Sequence, residues 1–178
     1  MQGFIDTILA FAEANAEWAA VIAFALAFAE TTLLLSIFVP STTILFGFGA
    51  LSASGALHLA PIWIGGALGS ALGSSVSYAL GRHYGDWALS RWPLSRRPDV
   101  TARAKETMRR WGVAALPIAH FLGPLRPVIF ALAGLSLMRF PRFLAWDIVG
   151  CIAWAYAIPM SGQLGGDAIS LLWRLATD

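Results

Sequence analysis

From Trp18 to Leu51 the chain is almost wholly apolar, broken chiefly by Glu30 and by the polar cluster Ser41-Thr42-Thr43 directly after Pro40. The stretch is too long for one membrane crossing of about 20 residues and too short for two crossings with a turn. It therefore reads as a re-entrant hairpin, 18–51, in which a helix enters, breaks near Val39-Pro40 and returns to its own side. Proline suits the break because it fixes φ and lacks an N–H, and Ser41 or Thr42 can cap the returning limb. Residues 62–81 form the best continuous span, with Gly65, Gly69, Gly73, Ser77 and Gly81 at four-residue intervals. Small residues at that spacing bare one helix face, so that another backbone can approach closely in lipid. A second apolar segment, 111–138, is interrupted by Pro117, His120, Gly123-Pro124 and Arg126-Pro127. It too is short for a double crossing and reads as a second re-entrant hairpin. Residues 143–160 predict a second span, 1–17 an amphipathic interfacial helix, and 166–176 a short terminal helix.

Charge orients these elements. The polar stretch 82–110 holds eight of the twelve basic residues, which marks it as cytoplasmic, with a surface helix begun by Asp99 after Pro98. Arg139 and Arg142 close the second hairpin, so both its ends carry positive charge and it enters from the cytoplasmic side. The first hairpin is flanked by Glu13, Glu17 and an uncharged stretch, which fits the opposite face. The predicted fold is an all-α integral membrane domain, 1–178. It comprises two opposed re-entrant hairpins and transmembrane helices in an inverted-repeat arrangement, a plan associated with transporters.

Composition agrees with this plan. The chain is 58% hydrophobic and 12% charged, where soluble domains carry roughly 25% charged residues. A water-soluble enzyme is excluded on that ground. Met1 to Ala20 lacks a basic n-region and carries Asp6, Glu13 and Glu17, so no cleaved leader is expected. The single cysteine, Cys151, excludes an internal disulfide and a thiolate cluster. A formal charge of +2 gives no reason to expect nucleic acid as a partner.

The candidate chemistry lies in ionisable residues inside apolar segments. Glu30 has no ionisable neighbour between Ala19 and Val39. A carboxylate there must be neutral, face water or pair with a cation, and such acids mark proton or ion pathways; an ion pair that merely fixes the hairpin is the alternative. Arg126, at the tip of the second hairpin, is its natural partner, and Pro127 at the start of the returning limb leaves free N–H groups aimed at the same place. His120 can exchange a proton near neutral pH, or can be a hydrogen-bonded packing residue. Asp147 is a secondary candidate, near enough to Arg139 and Arg142 in sequence to be an interfacial charge. No His, Cys or acidic pair shows metal-ligand spacing, and no cofactor is expected. Ser41, Ser52 and Ser54 lack a nearby His or an elbow motif, which argues against serine hydrolysis.

These residues resemble the DedA family of bacterial membrane proteins, related to VTT-domain lipid scramblases. The resemblance rests on Glu30 followed by Val39-Pro40 and the glycine-containing run from Ile44 to Leu51. It extends through Gly73 to Gly85 with its Tyr78-Ala79-Leu80-Gly81-Arg82 core, His120 to Arg126, and Ala133-Gly134, Met138, Phe143, Gly150 and Trp154. It implies two opposed re-entrant hairpins in the inner membrane and the movement of lipids or lipid-linked carriers, such as undecaprenyl phosphate or a phospholipid, with proton coupling. Glu30 and Arg126 match the family's first acid and last arginine. Thr42 stands where a second acid is usual and His120 where a first arginine is usual, so one acid and one base are missing together. The expected site is Glu30, Arg126, His120, Ser41, Thr42 and Thr43, and the expected function is translocation of an anionic lipid coupled to protons. A proton-coupled carrier of a small ion or drug is the competing class, and a homo-oligomer is compatible with either.

Overall fold

The computed structural model describes residues 2–33, 41–90 and 98–177, and among them every regular element is helical. In chain order these are α1 (Gln2–Ala14), α2 (Ala19–Thr31), α3 (Ser41–Ala53), α4 (Leu59–Ser90), α5 (Pro98–Trp111), α6 (Ala115–Ala119), α7 (Arg126–Leu135) and α8 (Phe140–Thr177). Single 3₁₀ turns lie between α1 and α2, between α5 and α6, and before α7. The Val39-Pro40 break expected in the first hairpin lies outside the described residues.

Two stretches, Leu59–Tyr84 in α4 and Phe140–Ala168 in α8, are long and apolar enough to cross a membrane. The chain turns by 115° between Ile5–Ala14 and Ala16–Thr31, and this bent pair would supply a third such stretch if it formed one span. The predicted span 143–160 and terminal helix 166–176 are not separate elements, because α8 runs through both. Pro159 lies inside it. The glycines at the junction of the two predicted segments are packing surface: a Cβ on Gly162 would overlap the Phe46 carbonyl oxygen of α3, and Gly166 meets Ala53 and Ala50.

The remaining helices pack around α4 and α8 in a reciprocal pattern. The first limb α2 packs on α4 and the second limb α3 on α8, whereas α6 packs on α8 and α7 on α4. Each limb pair thus places its first member against the long helix that follows it, and its second against the other long helix. Two buried apolar clusters result. One joins α6 and α7 to Leu33, Tyr78 and Phe143. The other joins α1, α2 and α3 to Ile62, Trp154 and Ala155.

The glycine seam makes this packing close enough. A Cβ at Gly65 would overlap the Ala20 carbonyl oxygen and one at Gly69 that of Phe24, both on α2. Further along the same face, Gly81 meets the Ala131 carbonyl of α7. One stripe of small residues therefore seats α2 at one end and α7 at the other. At Ser77 between them, the hydroxyl donates to Thr31 O at 2.6 Å and accepts from Leu33 N–H at 2.8 Å, tying down the end of α2.

Candidate functional site

Glu30 sits one residue before the C-terminal end of α2, where the threonines that follow turn back on the helix. Thr31 Oγ1 donates to Ala27 O at 2.7 Å and Thr32 Oγ1 to Phe28 O at 2.8 Å, a second bond to carbonyls of the last turn. The Glu30 carboxylate leaves α2 and meets the first turn of α3. Thr42 Oγ1 donates to Glu30 Oε1 at 2.9 Å, and the Thr42 backbone N–H donates to the same carboxylate. A carboxylate at a helix N-terminus is favoured by the unpaired N–H groups and the helix dipole.

Arg126 arrives from the other side. It is the first residue of α7, with Pro127 behind it in the first helical turn, where a missing N–H costs nothing. Its side chain is 1% exposed. Nη2 lies 3.7 Å from Glu30 Oε1 and donates to the His120 carbonyl oxygen at 2.6 Å. The guanidinium carbon stands 4.2 Å from the Trp154 ring centroid of α8, a cation–π contact that takes the place of water on that face. Four helices thus meet at one ion pair: α2 through Glu30, α3 through Thr42, α7 through Arg126 and α8 through Trp154. The pair is not saturated. Among the described residues, Arg126 Nε and Nη1, Glu30 Oε2 and the Ser41 hydroxyl are buried without a hydrogen-bond partner.

His120 is brought to this place in a different way from that expected. Its carbonyl oxygen serves Arg126, while its ring turns to a second polar cluster. Nε2 lies 2.9 Å from Asp147 Oδ1 and Nδ1 lies 3.4 Å from Ser70 Oγ. The imidazole is fully buried and packs on Phe130, with ring centroids 5.1 Å apart. The reading of Asp147 as an interfacial charge is corrected: its side chain is 0% exposed, and Ser74 donates to its Oδ2. Cys151, one turn further along α8, places Sγ 3.5 Å from Asp147 Oδ2 and 3.7 Å from His120 Nε2. The i,i+4 spacing of Asp147 and Cys151 was the available sequence signal, but nothing local in the chain points from it to His120.

Of the polar residues after Pro40, Thr42 joins the ion pair and Ser41 is buried beside it in the chain. Thr43 does not belong to the site, being exposed. Successive helical residues point about 100° apart, so only part of the Ser-Thr-Thr run can face Glu30.

Comparison with known proteins agrees with this arrangement. The VTT domain family matches residues 39–164, from Val39-Pro40 in the first apolar stretch through most of α8. The inner membrane protein YabI of Escherichia coli K12 is 28% identical over 146 residues, covering 82% of this chain and 57% of YabI. The uncharacterized membrane protein Rv2637 of Mycobacterium tuberculosis H37Rv is 36% identical over 127 residues, covering 68% of this chain and 58% of that protein. The chain therefore spans a little over half the length of these relatives. No solved structure gives a significant match. With the family profile covering well over half of the residues and the relatives named as membrane proteins, this chain is a membrane protein of the VTT-domain, or DedA, family.

Proposed function

We propose that the chain translocates an anionic lipid across the bacterial inner membrane, a polyprenyl phosphate such as undecaprenyl phosphate or an acidic phospholipid, in exchange with protons. The observation that carries this reading is the unsaturated Glu30–Arg126 pair. Arg126 Nε and Nη1 have no hydrogen-bond partner among the described residues, in a buried site. A phosphate oxygen is the group that a guanidinium fork pairs with best. In the resting arrangement Glu30 occupies part of that fork. A headgroup phosphate entering between α2 and α7 displaces the carboxylate, and protonation of Glu30 removes the competition for Arg126. Alternation between a paired and an opened state then gives access from one side or the other.

The reciprocal packing of α2–α3 and α6–α7 on α4 and α8 supports reading them as two opposed re-entrant hairpins of an inverted repeat. In this reading the basic segment 82–110 faces the cytoplasm. An apolar cavity of about 460 Å³ between α1 and α2 supports a cargo with a hydrocarbon tail over a small solute. Its lining includes Ile8, Phe11, Val21, Ile22, Leu26 and Ala29.

The test is reconstitution of the purified chain in proteoliposomes. Headgroup movement is followed for labelled polyprenyl phosphate, phosphatidylglycerol and phosphatidylethanolamine, with a small fluorescent anion as a fourth cargo. Faster movement of the anionic lipids, accelerated by a proton gradient, supports the proposal. Movement of the small anion alone supports a solute carrier, and no movement above protein-free vesicles contradicts translocation.

A further inference from the structure

The ion pair does not use Asp147 or Cys151, and it uses His120 only through its carbonyl oxygen. These three side chains place an imidazole nitrogen, a carboxylate oxygen and a sulfur within 4.8 Å of one another, all buried. The separations are 2.9 Å from His120 Nε2 to Asp147 Oδ1, 3.7 Å from Nε2 to Cys151 Sγ, and 3.5 Å from Sγ to Asp147 Oδ2. Around a tetrahedral zinc ion, with bonds of about 2.0 Å to N and O and about 2.3 Å to S, neighbouring ligand atoms stand about 3.3–3.6 Å apart. The two edges from Nε2 fall just below and just above that range, while the 3.5 Å edge from Sγ runs to Oδ2, so seating an ion on Oδ1 needs the Asp147 carboxylate to turn as well.

The surroundings match an outer shell. With Nε2 as the ligand, Nδ1 carries the ring proton and faces the Ser70 hydroxyl at 3.4 Å. Ser74 donates to Asp147 Oδ2 and leaves Oδ1 turned to the cluster. Outer partners of this kind set the tautomer and orientation of ligating histidines and carboxylates. The ring is held on its flank by Gly150, where a Cβ would overlap the His120 ring and lie 2.7 Å from Pro117 Cα. Charge also balances: a carboxylate, a thiolate and a neutral imidazole make a neutral assembly with a divalent cation, which is what an apolar interior tolerates.

We propose that His120, Asp147 and Cys151 form a binding site for a thiophilic divalent transition-metal ion of the zinc class. The mixed nitrogen, sulfur and oxygen set selects zinc or cobalt over magnesium and calcium, which prefer all-oxygen shells. Binding breaks the Cys151 S–H bond; the sulfur keeps the electron pair and donates it to the cation, and the proton leaves to solvent, so nothing is oxidised or reduced. The ion replaces the His120–Asp147 hydrogen bond and fixes the backbone at His120, whose carbonyl oxygen holds Arg126 Nη2 at 2.6 Å. The metal would thus position the arginine without touching a cargo.

The test uses the full chain expressed in zinc-supplemented cells and purified in detergent, followed by metal analysis and by loading with cobalt. One equivalent of zinc per chain is expected. The cobalt form should show a thiolate-to-cobalt charge-transfer band, which identifies Cys151 without any variant because the chain has a single cysteine. Cys151→Ser should abolish the band and His120→Ala should lower metal content at least tenfold, while His58→Ala, at an exposed position, should retain it. Substoichiometric zinc in the wild type, a cobalt spectrum with no sulfur band, or unchanged metal content in His120→Ala would each overturn the site.

Discussion

Arg126 lies over the indole of Trp154, its guanidinium carbon 4.2 Å from the ring centroid, so that the cation is shielded on one face and open to Glu30 along its edge. The arrangement explains how an arginine that is 1% exposed keeps its charge inside an apolar helical core. Aromatic electrons, a carbonyl oxygen and a carboxylate share the work of hydration, and no one of them saturates the fork.

Removing one member of the pair should destabilise the protein more than removing both. Arg126→Ala leaves Glu30 buried and uncompensated, at a cost of about 3–5 kcal/mol. The double variant Glu30→Leu/Arg126→Met, apolar and of similar volume, should recover most of the loss. Melting of detergent-solubilised protein checks this: a double variant less stable than either single one would contradict the buried-pair account.

Thr42 and Thr43 should behave oppositely. Thr42→Val removes a hydrogen bond to a charged group, worth about 1.5–3 kcal/mol, and should lower the melting temperature, whereas Thr42→Ser should not. Thr43→Val changes an exposed position and should leave melting unaltered. Equal effects at the two positions would place the carboxylate elsewhere.

The glycine seam predicts a contrast within one helix. Gly69→Ala drives a methyl group into the Phe24 carbonyl and should cost about 1–3 kcal/mol or prevent assembly. At Gly66 the added Cβ would meet only Ala155 Cβ at 3.4 Å, so Gly66→Ala should be tolerated. Yield of monodisperse protein and its melting temperature report both.

A control lies on α5, outside the apolar helices. Hydrogen bonds from Arg109 hold the Glu106 carboxyl below its usual value. Any stabilisation from this pair is present above the unfolded carboxylate pKa and is lost as pH falls through the lowered folded one. Both groups are exposed and screened, so Glu106→Gln should change neither melting at neutral pH nor transport. A loss of transport would give the basic segment a role that surface charge pairs do not have.

The parts of this fold legible in the sequence are those decided by local pattern. The four-residue spacing of Gly65, Gly69, Gly73, Ser77 and Gly81 announced a packing face, and α2 and α7 occupy it. Glu30 and Arg126 were paired by the cost of leaving either alone in an apolar run, and the 3.7 Å contact follows that reasoning. The failures concern relations that only packing settles. Asp147 follows Arg139 and Arg142 closely, and proximity in sequence suggested a surface, but the turn of α8 carries its side chain inward to His120. Residues 143–160 and 166–176 read as separate helices, and an interior proline such as Pro159 disfavours a continuous one. Contacts with α3 outweigh that preference, and α8 continues to Thr177.

The most direct test of the central claim is headgroup movement by Glu30→Gln and Arg126→Lys proteins, each matched to wild type for melting and reconstitution yield. Anionic lipid movement should fall at least tenfold in Arg126→Lys, whose ammonium cannot form the fork. In Glu30→Gln it should lose its response to a proton gradient. Wild-type rates and wild-type proton response in both variants would contradict a translocation centre at this ion pair.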